Sequence, residues 1–444
     1  METTKTQTPA VKSGLLSKLF GFDPQKHNVR TEIVAGVTTF LTMAYILAVN
    51  PGIFSNIPDM PTGSVFTATA LAAIVGTLMM SIYAKKPFGL APGMGLNAFF
   101  VFTVCLGMGY SWQFALTAIL IEGIIFIILS ATKVREMIVD AIPVSLKNAI
   151  GAGIGLYIAF IGLQNAGIIA NNDSTLVALG DLKNATSILF IIGLFLTSIL
   201  VVLKVKGGIL IGMLATTIIG IPMGITKFTG LVSMPSSISP IFCKFEWTQV
   251  LSWDMLAVVF TFLFIDMFDT IGTVVGVSVK SGMIDKEGHV DGISKILMAD
   301  AVATAAGACF GTSTTTTYIE SAAGVAEGGR TGLTSFVVAA CFAIALLFSP
   351  VFLAIPGAAT GAVLVIVGVM MMNPIRNIEW NDYSEAIPAF ITAVMMPLSY
   401  SIAHGILLGM ISYVVINACS GKFKKISVTM WVLSILFVLR YILM

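Results

Sequence analysis

Fourteen apolar runs, most near the length that crosses a bilayer, follow one another through this 444-residue chain and leave it little choice of fold. They lie near residues 34–52, 66–83, 92–108, 113–131, 144–164, 186–204, 208–226, 254–276, 293–310, 314–328, 332–350, 357–372, 384–400 and 402–419. About 20 helical residues span the hydrocarbon, and in lipid every backbone polar group must be satisfied inside the protein. The expectation is an all-α polytopic membrane protein whose first partner is membrane lipid. Charged residues make up 10% of the chain, against about 25% in soluble domains, which excludes a soluble globular class.

Charge placement supports the count. With the N-terminus cytoplasmic, residues 1–33 and the loops after even-numbered spans hold twenty lysines and arginines, while the outer loops hold Lys183, Lys227 and Lys244. That is a strong positive-inside bias, and an odd miscount would scramble it. Both termini are then cytoplasmic. The N-terminal stretch has no cleavable signal pattern; Leu15, Leu16, Leu19 and Phe20 suit a short interfacial helix or a tail. A last apolar run, Ile426 to Leu439, is short for a span and reads as a helix lying at the inner surface, with a fifteenth span to Met444 left open.

The chain repeats itself. Thr39-Phe40-Leu41 recurs at Thr261, 222 positions on; Ile142-Pro143, Ala149 and Gly155 recur at Ile355-Pro356, Ala362 and Gly368, 213 on; Gly208 to Met213 recurs at Gly405 to Met410, 197 on. The same order with shrinking offsets argues for two homologous halves. Each half has seven spans, an odd number, so the second half is inverted in the membrane.

Two spans are broken. From Gly311 to Gly332 the chain carries six threonines, two serines, Glu320 and Glu327 between apolar segments. Thr314 to Ile319 favours extended backbone and Glu320 onward a helix; such backbone survives at membrane depth only in protein or against a wet cavity. Applying the first offset to Ala91–Phe100 sets Asn97 on position 319, beside Glu320, so the two polar residues are expected to face each other. A broken helix carrying a carboxylate is how many transporters build a midplane site; a polar interhelical loop is the plainer alternative.

Ionisable groups within spans are costly and default to functional hypotheses. The candidates are Glu122, Asp266, Asp269, Asp300 and Glu320, with Glu327 near a span end. Asp266 and Asp269 stand at i and i+3, on one helix face. Carboxylates that close resist joint ionisation, so one is a candidate proton carrier. Asp266 and Glu320 are read as substrate contacts. Asp269 is read as a second contact or a backbone tie, and Asp300 and Glu122 as structural ties. Asn97 offers a donor and an acceptor to a heterocycle edge. Phe99, Phe100, Phe268 and Tyr318 can stack on a flat ligand or simply pack. Five scattered cysteines and three histidines without ligand spacing suggest neither a disulfide framework, a metal site nor a cofactor. The net charge of +2 points to no nucleic-acid partner.

Four blocks carry a resemblance: Thr38–Pro51, Ala91–Phe100, Phe268–Thr273 and Thr316–Ser321. With these the chain resembles the nucleobase–cation symporter family of uracil and xanthine permeases, most closely its AzgA-like adenine, guanine and hypoxanthine branch, from about Phe20 to Gly421. The resemblance implies fourteen spans as two inverted seven-span repeats, with spans 3 and 10 each opening on a short β-strand. It implies core segments at 34–132 and 254–352 and gate segments at 133–226 and 353–420. Residues 1–33, 227–253 and 421–444 are the cytoplasmic segment, an extracytoplasmic loop and a membrane-associated tail. It implies purine binding by Asn97, Asp266 and Glu320 with Phe99, Tyr318 and Ile319, and proton coupling through Asp266, Asp269 and Glu320. The uracil branch has a histidine four residues after its span-8 acid; Thr270 stands there, so a carboxylate must do that work.

The expectation is therefore a proton-coupled purine permease of the bacterial inner membrane, not an enzyme, with Na⁺ left open as coupling ion and a homodimer left open as assembly. A same-fold carrier of xanthine, uracil or an inorganic anion is the first rival, though the acids at the crossing point argue against an anion. A membrane-embedded enzyme would need a nucleophile–base pair or metal cluster. A channel fits the repeat with two broken spans less well.

Overall fold

The computed structural model describes residues 14–132, 142–281, 283 and 290–443. Among the described residues, ten helices are long and apolar enough to cross a membrane, and three shorter apolar ones join them. With the strand-and-helix unit at 315–326, these make fourteen segments. Span 1 is Val29–Phe54, span 2 Thr62–Ala84, span 3 residues 90–107, span 4 Trp112–Thr132, span 5 Val144–Asn165, span 6 Ala185–Val202 and span 7 Gly208–Gly220. The second half has span 8 at Trp253–Ser281, span 9 at Ile293–Phe310, span 10 at 315–326 and span 11 at Gly332–Leu353. Span 12 is Gly357–Met371, span 13 Tyr383–Leu398 and span 14 Ile402–Cys419. Of the basic residues counted above, Lys5, Lys12, Lys133, Arg135 and Lys286 lie outside the described residues.

The packing displays the repeat. Span 4 packs on span 9 and span 11 on span 2; span 8 packs on span 4 and span 1 on span 11; span 13 packs on span 5 and span 6 on span 12. Each contact recurs with its partners moved seven spans along, the mark of a pseudo-twofold. Spans 5 and 12 cross on the axis, where Gly155 faces Gly368 and Gly162 faces Gly361. A Cβ on Gly162 would lie 2.6 Å from the Gly361 carbonyl oxygen. Small residues let membrane helices approach this closely. The heaviest contacts run among spans 1–4 and 8–11 and among spans 5–7 and 12–14, with lighter ones between these two groups, as where spans 3 and 8 touch span 5.

At the centre, β1 (Leu90–Pro92) of span 3 pairs antiparallel with Thr315–Thr317 of span 10, Ala91 opposite Thr316. Its neighbours satisfy further backbone groups of the strands, as burial favours. Thr77 of span 2 accepts from Leu90 N (3.0 Å) and donates to its carbonyl (3.1 Å), while Thr304 of span 9 donates to the Thr315 carbonyl (3.0 Å). Asp300 accepts from Thr317 N at 3.2 Å. Two further strands, β2 (Ile169–Asn172) and β3 (Leu176–Leu179), form an exposed hairpin between spans 5 and 6, so Thr315–Thr317 is β4. The apolar-run reading gave no sign of this hairpin, because its residues are short, polar-flanked and outside the membrane-length runs.

Two expectations need correction. The offset of 222 does not hold at the broken spans: β4 begins 225 positions after β1, and the helix of span 10 begins at Ser321, 227 after Met94. Span 3 turns from strand to helix through Gly93 alone, whereas span 10 uses Tyr318, Ile319 and Glu320. Asn97 therefore answers to Gly324, and Glu320 sits in an insertion without a counterpart. Nor does the tail lie flat at the surface. Its helix, Val428–Leu443, packs on span 14, with Ser434 Oγ donating to the Met410 carbonyl at 3.4 Å. Met430 and Leu433 are buried while Val428, Val432 and Ile435 are exposed, so apolar residues face both protein and surroundings, unlike an interfacial helix with a polar face.

Candidate functional site

The broken spans bring the acids of the second half to one place. Glu320 sits at the N-cap of the span-10 helix, half-buried, with the Ile319 side chain beside it 39% exposed in an otherwise buried neighbourhood. Its Oε1 accepts from the Tyr45 hydroxyl at 2.5 Å. Tyr45 stands where span 1 itself breaks, between helices Val29–Met43 and Ile46–Phe54. Tyr318 is buried, donates to the Pro92 carbonyl at 2.5 Å and lies with its ring 6.5 Å from that of Tyr45.

Asp269 is the second half-buried acid. Its Oδ2 lies 3.6 Å from where a Cβ on Gly93 would sit, which puts the carboxylate at the strand-to-helix turn of span 3. Asp300 and Glu320 are both near enough to repel its charge. The same Gly93 Cβ would be 2.8 Å from Thr316 Cγ2, so only glycine fits between the strands and span 8.

Asp266, one turn away, is fully buried and accepts from Thr270 at 3.2 Å. Thr270 also reaches both Asp300 oxygens (3.1 and 3.0 Å) and Thr316 Oγ1 (2.6 Å). Of the two acids on this face of span 8, the structure thus leaves Asp269 half-buried at the span-3 turn and sets Asp266 in a buried hydroxyl network. Asp300 and Glu122 tie down the strand segment, the latter by accepting from Thr314 at 2.7 Å. Asn97 is buried; its Oδ1 accepts from Ser313, and its Nδ2 has no hydrogen-bond partner among the described residues. Phe99 is buried edge-on against Phe262, with centroids 4.8 Å apart.

The sequence reading passed over two residues. Tyr45 lies within the Thr38–Pro51 block, but its partner is 275 positions away, and only the fold joins them. Glu32 is buried in span 1 and accepts from Arg330 N (3.1 Å), Thr331 N (3.3 Å) and the Thr334 hydroxyl, holding the turn after span 10. Its position just before the first apolar run hid it.

Residues 30–408 match a family model, Xan_ur_permease, described as "Permease family". The chain belongs to that family. It is a multi-pass membrane permease and not an enzyme. Among curated proteins it is 48% identical to Putative permease MJ0326 of Methanocaldococcus jannaschii, over 96% of this chain and 98% of that one. It is 40% identical to Adenine permease AdeQ of Escherichia coli over the full length of both, and 44% identical to Guanine/hypoxanthine permease PbuG of Bacillus subtilis, over 96% and 99%. The transmembrane domain of the cyanobacterial bicarbonate transporter BicA shares the fold, with a TM-score of 0.64 at 16% identity, over 88% of this chain and 99% of that one. SLC26A9 does too, at 0.65 and 13%, over 91% and 69%. The fold is thus shared with proteins of very different sequence.

Proposed function

We propose that this permease imports purine nucleobases together with protons, binding both where Glu320 and Asp269 meet the crossed strands. The observation that carries this is the pair of half-buried carboxylates on separate spans at the turns of β1 and β4. Relatives named for adenine, guanine and hypoxanthine, matched end to end, support a purine over an inorganic anion. So does the site itself, where an anion would meet acids and no basic side chain among the residues that frame it.

A neutral purine offers N–H donors and ring acceptors in one plane. An ionised carboxylate accepts from such an edge, and a protonated one both donates and accepts. Glu320 takes the purine edge, Asp269 is the proton partner opposite, and Asn97 adds an amide. Asp266 acts behind them, through Thr270, on the strand that holds Glu320. Two adjacent carboxylates in low dielectric do not ionise together readily, so a proton loads with the substrate and little uncompensated charge is buried while the loaded site moves.

Alternating access follows from spans 1–4 and 8–11 moving against spans 5–7 and 12–14. At the end assigned outside by the charge pattern, a cavity of about 430 Å³ opens between the two groups, lined in part by Gly52, Asn56, Asn165, Phe352 and Thr360. At the opposite end the groups touch.

Uptake of labelled hypoxanthine into proteoliposomes with an imposed pH gradient tests the reading, with adenine, guanine, xanthine, uracil and sulfate as competitors. Purine competition and gradient-driven accumulation are expected. Glu320→Gln is expected to weaken binding at least tenfold, and Asp269→Asn to abolish accumulation while sparing exchange of purine for purine. Sulfate competition, or accumulation that follows Na⁺ and ignores pH, would sink the substrate or the coupling assignment respectively.

A further inference from the structure

Tyr45 does more than fill the break in span 1. Its side chain is 1% exposed, yet its hydroxyl reaches Glu320 Oε1 at 2.5 Å, the one side-chain hydrogen bond to that carboxylate among the described residues, beside a bond from the main-chain N–H of Glu320 itself. The other hydroxyls nearby are committed elsewhere. Tyr318 donates to the Pro92 carbonyl, and Thr42 bonds the carbonyls of Thr38 (3.1 Å) and Thr39 (2.8 Å), reaching the Glu320 main-chain oxygen at 3.5 Å. Main chain and one carboxylate oxygen are thus both held from span 1.

We propose that Tyr45 is a positioning residue for substrate: by occupying Oε1, it leaves Oε2 of Glu320 as the one oxygen that meets the purine. A phenol donating to Oε1 is compatible with an ionised carboxylate and equally with a neutral acid whose hydroxyl is on Oε2. It disfavours the acid with its hydroxyl on Oε1, because the phenol would then face a donor. The tyrosine therefore fixes both the aim of the carboxylate and the atom that carries its proton. Oε2 accepts a purine N–H in one state and donates to a ring nitrogen in the other. Pre-organised polar groups of this kind are what a site needs if binding is not to cost the ordering of a flexible acid.

This inference rests on Glu320 being the purine ligand, and the test separates the two claims. Hypoxanthine transport kinetics are measured in proteoliposomes for Tyr45→Phe, Glu320→Gln and the double variant. Tyr45→Phe keeps the ring and its approach to Tyr318 and removes only the hydroxyl. Hydrogen bonds to charged groups are worth about 1.5–3 kcal/mol, so a rise in KM of roughly 10-fold or more is expected, with kcat within about twofold. If Tyr45 acts through Glu320, adding Tyr45→Phe to Glu320→Gln raises KM less than about threefold further, as coupled sites do. Tyr318→Phe, whose hydroxyl serves Pro92, is expected to multiply with Glu320→Gln instead. An unchanged KM in Tyr45→Phe beside a defective Glu320→Gln would overturn this inference alone. Independent, multiplying effects of Tyr45→Phe and Glu320→Gln would do the same. A wild-type KM in Glu320→Gln would overturn the purine ligand as well.

Discussion

Glu320 and Asp269 are half-buried where Asp266 and Asn97 are sealed, and that difference sorts the polar residues of the core more sharply than their identities do. From sequence, Asp266 and Asp269 share a helix face, and Asp266 is read as the substrate contact with Asp269 second. The proposed order is the reverse, because of which neighbours each meets, Thr270 for one and the Gly93 turn for the other. Glu320 was legible because a carboxylate in a threonine-rich break is costly without a purpose; Tyr45 was not, because tyrosines in apolar runs usually just pack. Asn97 carries its own prediction. Ser313 donates to Oδ1, which leaves the amide N–H₂ as an unspent buried donor. A donor suits the oxo group of hypoxanthine or guanine and not the amino group of adenine. Asn97→Asp, which replaces that donor with an acceptor, should move the competition ratio toward adenine by about tenfold or more, since unpaired polar groups dominate such discrimination. Uptake competition at matched expression measures it, and an unchanged ratio would remove Asn97 from the site.

The halves read more clearly at the level of elements, but not evenly. The repeated Gly155 and Gly368 proved to be partners across the axis, since each is where the other's helix comes closest. Local glycine and proline punctuation in one and a threonine run in the other also marked the two broken spans. What sequence could not give was their length: strand-to-helix turns of one and three residues differ by an insertion that apolar matches on either side do not register. The tail helix misled for a related reason. Fourteen residues are too few to span, but a helix packed along span 14 need not span alone. The crossing of spans 5 and 12 yields a stability prediction. On Gly162 a Cβ meets the Gly361 oxygen at 2.6 Å and Leu364 Cβ at 2.9 Å, backbone and stem atoms that cannot swing away. Gly162→Val should overpack this contact, at a cost of about 1–3 kcal/mol. Thermal unfolding in detergent should show a lower midpoint than for Gly272→Ala, a position with open space around it. Equal midpoints would mean that the two helices separate freely.

At the scale of the molecule, the open and closed ends of the boundary between the two packing groups invite a test of how the protein moves. Lys206, in the turn between spans 6 and 7, pairs with Glu327 at the end of the span-10 helix at 2.8 Å. This joins one group to the other at the end assigned to the cytoplasm. Beside it Gly207, at φ +69°, lets the turn press on Leu41 of span 1; a Cβ there would lie 3.0 Å from Leu41 Cβ. The pair is 59% and 29% exposed, so it behaves as a surface ion pair worth about 0–1 kcal/mol. That is too little to lock the inner end and enough to bias an equilibrium between outward-open and inward-open states up to about fivefold. Glu327→Gln should therefore populate the inward-open state more. A cysteine at Gly52, on the wall of the outer cavity, should react with an impermeant thiol reagent two- to fivefold more slowly in that background. Exchanging the charges, Lys206→Glu with Glu327→Lys, should restore the rate. The difference between wild type and Glu327→Gln should shrink at about 1 M salt, where the screening length falls to about 3 Å. A labelling rate that ignores charge removal, charge exchange and salt alike would mean that the pair touches across the boundary without biasing it.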